Sequence, residues 1–293
     1  MRFRRAGACA LRRDAVGLAV RAPMLRRAAA AIGAASGAIF LAGALAPSFA
    51  QGTCTPARGS PAKVTQINER GELALEDGRL VKMAGIDLPG PTQERPRLAQ
   101  AAREALSDWL LNHSVTVRPV LATPDRWGRT VAYVFAPPDF GTPDISPVSA
   151  GFVLLDAGLA RARPSPETRD CATLFLEAEM QARQSGLGLW GDPYYGVIDA
   201  TDSAHLADRA GTFVLVEGRV TRVGTGRART FVNLGHGRDS FTFTVPKRSN
   251  GSFEASGLAL GSLVGVRLRV RGILDTRFGP QIEVSDPENV ERL

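Results

Sequence analysis

The segment Asp125-Arg126-Trp127-Gly128-Arg129 gathers a carboxylate, two guanidinium groups and an indole in one tight turn. Upstream, Gly85-Ile86-Asp87-Leu88-Pro89 sets a second carboxylate in a turn, with Lys82 shortly before it. Arginine can hold two oxygens of one phosphate through its planar fork; lysine brings the charge without the fork. Arg129 and Lys82 are therefore candidates to clamp a phosphate, with Trp127 beside them as a binding residue. Hydrolysing such an ester also needs a base to activate water. Plainer readings stand beside these. A basic residue after a turn glycine is commonplace, and an aspartate at a strand end often caps its own backbone.

Something must position these two turns, and the surrounding pattern is that of a small barrel. Residues 63–68 alternate as a strand, and Leu73-Ala74-Leu75 follows. Glu76-Asp77-Gly78-Arg79 is a hairpin turn marked by Asp-Gly, and 80–86 is the returning strand. Pro96 opens a helix to about residue 111, with Leu98, Ala102, Ala105, Leu106, Trp109 and Leu110 on one apolar face. Val115, Val117 and Val120 mark a fourth strand, and 130–136 a fifth. Three strands, a helix and two strands make the five-stranded OB-fold. A Pro- and Asp-rich loop over 137–147 leads to helices over 148–157 and 167–184, each stopped by a glycine.

The two turns, set on such a barrel, resemble those of the staphylococcal nuclease (thermonuclease) family. That family cleaves phosphodiester bonds with one calcium ion, two arginines and a glutamate. The resemblance covers about residues 60–192 and includes Gly188-Leu189-Trp190, where the family's last helix ends in a tryptophan packed on the barrel. It implies that Arg129 is the second catalytic arginine, that Lys82 replaces the first, and that Asp87 is a calcium ligand. It also implies losses. Glu69-Arg70-Gly71-Glu72 stands for an Asp-Gly-Asp-Thr calcium turn, so a ligand aspartate falls near Gly71 and Glu72 remains as a displaced acid. Leu88 occupies another ligand position, and Gly90 stands where the catalytic glutamate follows the proline. Calcium takes six to eight oxygens, and loss of a general base typically costs about 10²–10⁴ in rate. The resemblance thus implies a phosphodiester-gripping barrel with hydrolysis weak or lost. Glu94, in the stretch after Gly90, is a substitute acid. With Glu72 it would make the chain a working calcium-dependent nuclease. Glu179 also matches a family glutamate, although a solvated helix face explains it equally well.

Residues 193–210 read as a polar linker, after which strand periodicity returns over 213–220, 230–234, 241–245, 263–273 and 281–284. A short helix is expected over 252–260. This is a second OB-like order, so the predicted class is mainly β with α: a nuclease-like barrel with helices, over 51–192, then a second barrel over 211–293. Arg267, Arg269 and Arg271 alternate with Val266, Leu268 and Val270, which puts three guanidinium groups on one face of a strand. Arg222, Arg227, Arg229, Lys247 and Arg248 would extend that surface, with Phe231, Phe241, Phe243 and Phe278 for stacking on a single strand. The alternative is an ordinary half-buried strand with Phe241 and Phe243 in the core.

The net charge of +7 comes wholly from the first 50 residues, where eight arginines face one acid, Asp14. The rest balances, 28 basic against 28 acidic, so the overall charge says little about nucleic acid. Those 50 residues read as a signal peptide: Arg26-Arg27, an uncharged run to Ala46, and a small-x-small site ending at Ala50. Met24 is an alternative start, and an uncleaved anchor the alternative fate. A periplasmic or secreted protein with no membrane span in its mature form is expected. Cys9 falls in the leader, leaving Cys54 and Cys171, which an oxidising compartment should pair; two separate thiols are the alternative. The partners that follow are single-stranded nucleic acid or another phosphate polymer. If both barrels instead bind protein, the chain is a non-enzymatic envelope adaptor. Calcium is the one cofactor the resemblance brings.

Overall fold

The computed structural model describes residues 54–90, 96–142, 145–236 and 240–293, which belong to one compact unit. The expected leader with Met24 and Cys9, and Glu94, lie outside the described residues. The first half runs β1 (Ser60–Ile67), β2 (Leu73–Leu75), β3 (Leu80–Met83), β4 (Ile86–Asp87), α1 (Pro96–Leu110), β5 (Ser114–Pro119) and β6 (Arg129–Ala136). Then come β7 (Val148–Ser149), α2 (Ala150–Asp156), β8 (Arg161–Ala162) and α3 (Arg169–Gln184). β1 lies between β2 and β5, β6 pairs β5, and β6 closes in parallel onto β3. This is the five-strand barrel the sequence pattern predicts. In β1 the inward Ala62 and Val64 alternate with exposed neighbours, as a one-sided strand requires. Leu106 and Leu110 of α1 join Val64, Leu73, Val81, Val117 and Phe135 in the core. Leu189, not Trp190, is the fully buried member of the 188–190 segment.

The second half runs β9 (Ile198–Asp199), α4 (Ser203–Asp208), β10 (Phe213–Thr225), β11 (Arg229–Leu234), β12 (Thr242–Pro246), α5 (Asn250–Ala255), β13 (Arg267–Ile273), β14 (Gln281–Glu283) and β15 (Val290–Arg292). β10 pairs β11 and β13, β11 pairs β12, and β12 runs parallel to β14. A bridge between Asp275 and Gln281 returns β14 toward β13. The pairing order matches that of the first barrel, and the helix again sits between the third and fourth barrel strands. Phe241 and Phe243 are core residues, as the plainer reading had it.

The stretch 193–210 is not a bare linker. It holds a turn of 3₁₀ helix, β9 paired with β10, and α4, with Tyr195, Ile198, Ala200 and Leu206 buried. Its apolar residues sit singly among polar ones, so composition hides them. Cys54 and Cys171 are joined by a disulfide whose Cα atoms lie 4.6 Å apart. Tying ends 117 positions apart removes much of the unfolded chain's freedom, worth about 4–5 kcal/mol on the chain-entropy account. No helix among the described residues is long and apolar enough to cross a membrane.

Candidate functional site

Closure of β6 onto β3 brings the two turns together. Leu80 is the strand partner of Arg129, and Lys82 lies two residues further along the same face of β3. The resulting cleft, of about 240 Å³, is bordered by Arg70, Lys82, Arg129 and Arg163 and by two acids, Glu72 and Asp87. Gly71, Met83, Ile86, Leu88, Pro89 and Gly90 complete its wall.

Asp125 builds the second turn locally. Its Oδ1 accepts the backbone N–H groups of Trp127 and Arg129, each at 3.0 Å. Its Oδ2 accepts Nε and Nη2 of Arg129 at 2.9 and 2.7 Å. These hydrogen bonds from Arg129 hold the Asp125 carboxyl down at about 2. The other end of the guanidinium, Nη1, donates to Glu72 Oε1 at 2.5 Å. Arg129 is thus aimed by carboxylates on both sides, and its charge is reinforced, first by Asp125. Trp127 stays 61% exposed, with the guanidinium carbons of Arg126 and Arg129 lying 3.9 and 4.6 Å from its ring centroid.

Glu72 is placed by Asn68, whose Nδ2 donates to Oε2 at 2.8 Å and whose Oδ1 accepts the Glu72 N–H at 3.0 Å. Burial pushes its carboxyl up, but the bonds from Asn68 and Arg129 outweigh this and hold it below its ordinary value. Lys82 is shifted the other way. Burial lowers its ammonium first, and the Arg163 and Arg129 charges add to that, with Asp125 and Asp87 opposing. A phosphate entering the cleft would supply the anion that Lys82 lacks.

Asp87 sits on β4, directly paired with Arg161 of β8. Arg161 Nη2 donates to Asp87 at 2.6 Å, its Nη1 donates to the Phe213 carbonyl at 2.6 Å, and Arg163 comes within 3.7 Å of the same carboxylate. Sequence reading missed Arg70, Arg161 and Arg163. The Arg-x-Arg spacing in Arg161-Ala162-Arg163 was the available signal, since it sends both side chains one way from a strand.

The donor set does not fit calcium. Asp87 is held by Arg161 and Glu72 by Arg129, and Leu88 offers no side-chain oxygen. Among the described residues no group of three or more His, Cys, Asp or Glu is placed to hold a metal, whereas calcium takes six to eight oxygens. The two positions where the resemblance implies further ligands make an apolar contact instead. Gly71 is left-handed (φ +69°), and a Cβ added there would meet Leu88 Cδ1 at 2.5 Å. Gly90 borders the cleft, and no atom of the described residues lies within 4 Å of where its Cβ would stand. Glu94 lies outside the described residues.

The arginines expected on an open face of the second barrel face something else. Arg271 is fully buried and donates to Glu179 at 2.7 Å, to the Ala162 carbonyl at 3.1 Å, and to Glu291. Arg269 donates to Glu217 and Glu291, each at 2.8 Å, and Arg267 pairs with Glu217. The three do share a face and each is paired with a carboxylate, but only Arg271 packs against α3, while Arg267 stays exposed. Glu179 is likewise buried, not a solvated helix position.

Residues 80–192 match the family model described as staphylococcal nuclease homologue. Over 113 residues the chain is 30% identical to a protein of Shigella flexneri named micrococcal nuclease, a stretch that is 39% of this chain and 62% of that protein. The chain thus spans less than two thirds of that relative's length. Residues 80–192, with the paired turns, Lys82, Asp87 and Arg129 inside them, are thus a segment similar to the staphylococcal nuclease homologue family.

Proposed function

We propose that this is an exported protein that grips single-stranded nucleic acid, or a related phosphate polymer, in the cleft between β3 and β6, with hydrolysis weak or lost. One observation carries the reading: the cleft keeps Arg70, Lys82, Arg129 and Arg163 while Leu88, Gly71 and Gly90 stand where carboxylates would run the reaction. Arg129 and Lys82 hold the phosphate, Arg163 adds charge at the rim, and Trp127 offers a ring to an adjoining base. Glu72 and Asp125 orient Arg129 rather than activate water. The disulfide between Cys54 and Cys171 supports an oxidising compartment and hence export of the chain.

A second reading, a working nuclease, is favoured by the 30% identity to the Shigella flexneri micrococcal nuclease. Binding of a labelled single-stranded oligonucleotide, followed across a salt series with calcium and with chelator, separates the two. The first reading expects affinity that falls steeply with salt, with a log–log slope reduced by about 0.7 for each phosphate contact removed in Arg129→Ala or Lys82→Ala. It expects at most slow cleavage, unchanged by calcium or chelator. Calcium-dependent cleavage abolished by Arg129→Ala would establish the nuclease. Neither binding nor cleavage would point to the protein-binding adaptor.

A further inference from the structure

The second barrel carries an open face that the cleft does not use. Strand register lines up Arg222 of β10, Asn233 of β11, Thr242 of β12 and Gln281 of β14 as one row across four strands. Their neighbours Val232, Leu234 and Phe243 point into the core, so this row points out. The next row holds Phe231, which is partly exposed. Beyond the end of the row, in the loop before β14, Phe278 is 89% exposed. Together these residues border a groove of about 510 Å³ that, among the described residues, contains no acidic side chain. Arg222 is exposed and has no carboxylate partner among the described residues.

We propose that this face is a second subsite for the same single-stranded polynucleotide, taking nucleotides that extend beyond the one held in the β3–β6 cleft. The inference rests on the reading of that cleft given above. Phe231 and Phe278 would each stack a base, Arg222 would meet a backbone phosphate, and the amides of Asn233 and Gln281 would bond base edges or sugar hydroxyls. Such a surface, between the first turn and the last loop of an OB-fold barrel, is where that architecture binds oligomers.

Continuity with the cleft favours this occupant. Arg163 borders the β3–β6 cleft and also a larger groove between the two barrels, of about 620 Å³. Phe278 and Gln281 border that larger groove and the open face as well. In the larger groove the Thr244 hydroxyl, on the row of Phe231, is buried without a hydrogen-bond partner. A strand leaving Arg129 past Arg163 would pass Asp275, Glu283 and Asp286, paired with Arg277, Arg229 and Arg169, before it reaches the two rings.

The test uses the full mature chain and oligothymidylates of about 4 and about 20 nucleotides, lengths chosen around the site size of one OB-fold. Phe231→Ala/Phe278→Ala should weaken the long oligomer by at least about tenfold and leave the short one unchanged. Phe278→Ala alone, at a solvent-exposed position, should give a smaller loss and guards against misfolding of the double variant. Arg129→Ala should weaken both lengths. If the phenylalanine variants bind the long oligomer as the wild type does while Arg129→Ala weakens it, the second subsite is overturned and the cleft reading stands. If the phenylalanines matter and Arg129 does not, the cleft reading fails and the continuous path with it. Loss of a neutral oligosaccharide, such as a chitin hexamer, with the oligonucleotide unaffected would make this a glycan face and overturn the proposal.

Discussion

Glu179 of α3 and Arg271 of β13, 92 positions apart, meet at 2.7 Å with both side chains withdrawn from solvent. Glu179 also accepts the Ala162 N–H at 2.8 Å, and Arg183 approaches it at 3.4 Å. A buried ion pair gains little over an apolar pair of the same volume, but removing one partner strands the other charge. Arg271→Ala should therefore lower stability by about 3–5 kcal/mol. In urea unfolding, Arg271→Met with Glu179→Leu should cost clearly less than the sum of the two single changes. Additive losses would show that the pair is not coupled.

Gly90 offers the most direct test of the chemistry. Among the described residues nothing crowds the position of its absent Cβ, so they leave room for a glutamate at the edge of the cleft. Gly90→Glu should raise phosphodiester cleavage over the wild type, by about 10²-fold at the low end of what a general base contributes. Product release from a labelled single-stranded oligonucleotide measures it. An unchanged rate would mean that the missing base does not limit this protein.

Acid should open the second turn. The Asp125 carboxyl lies at about 2, below its ordinary 3.8, because Arg129 bonds its charged form. A depressed carboxyl contributes its full stability above the ordinary value and loses it as pH falls through the lowered one. Trp127 fluorescence should accordingly report a transition between about pH 4 and 2, since the indole N-terminal to Arg129 rides on that turn. Asp125→Asn should flatten it and weaken oligonucleotide binding at neutral pH, because Arg129 loses the partner that aims it.

A raised carboxyl predicts the opposite slope elsewhere. Glu288 is pushed up to about 7, by burial first and then by Asp286, with Arg169 opposing. Such a group stabilises the fold below its ordinary 4.5 and stops doing so as pH rises through about 7. Melting temperature should decline across that window in the wild type and less in Glu288→Gln. Parallel curves for the two proteins would assign the decline to other groups.

Much of the first barrel was legible because its signals are local. The Asp-Gly hairpin, the one-faced helix α1 and the Asp125–Arg129 turn are each written in a few consecutive residues. Arg161 and Arg163 were not legible as site residues, since they reach Asp87 through a two-residue pairing of β4 with β8 across 74 positions. The arginine stripe shows a different limit. Alternation correctly told that Arg267, Arg269 and Arg271 share a face, but periodicity does not say what that face looks at. The same holds for the phenylalanines: Phe231 and Phe243 both sit in alternating strands, and only strand pairing shows that one points out and the other in.

The bond from Arg161 to the Phe213 carbonyl has a practical corollary. The first barrel is not self-contained, because Arg161, which holds Asp87, is itself anchored by the first residue of β10. A fragment ending before residue 213 would leave that guanidinium without its carbonyl and Glu179 with Arg183 alone at 3.4 Å, so grafting the front barrel onto another protein would transplant a loosened copy.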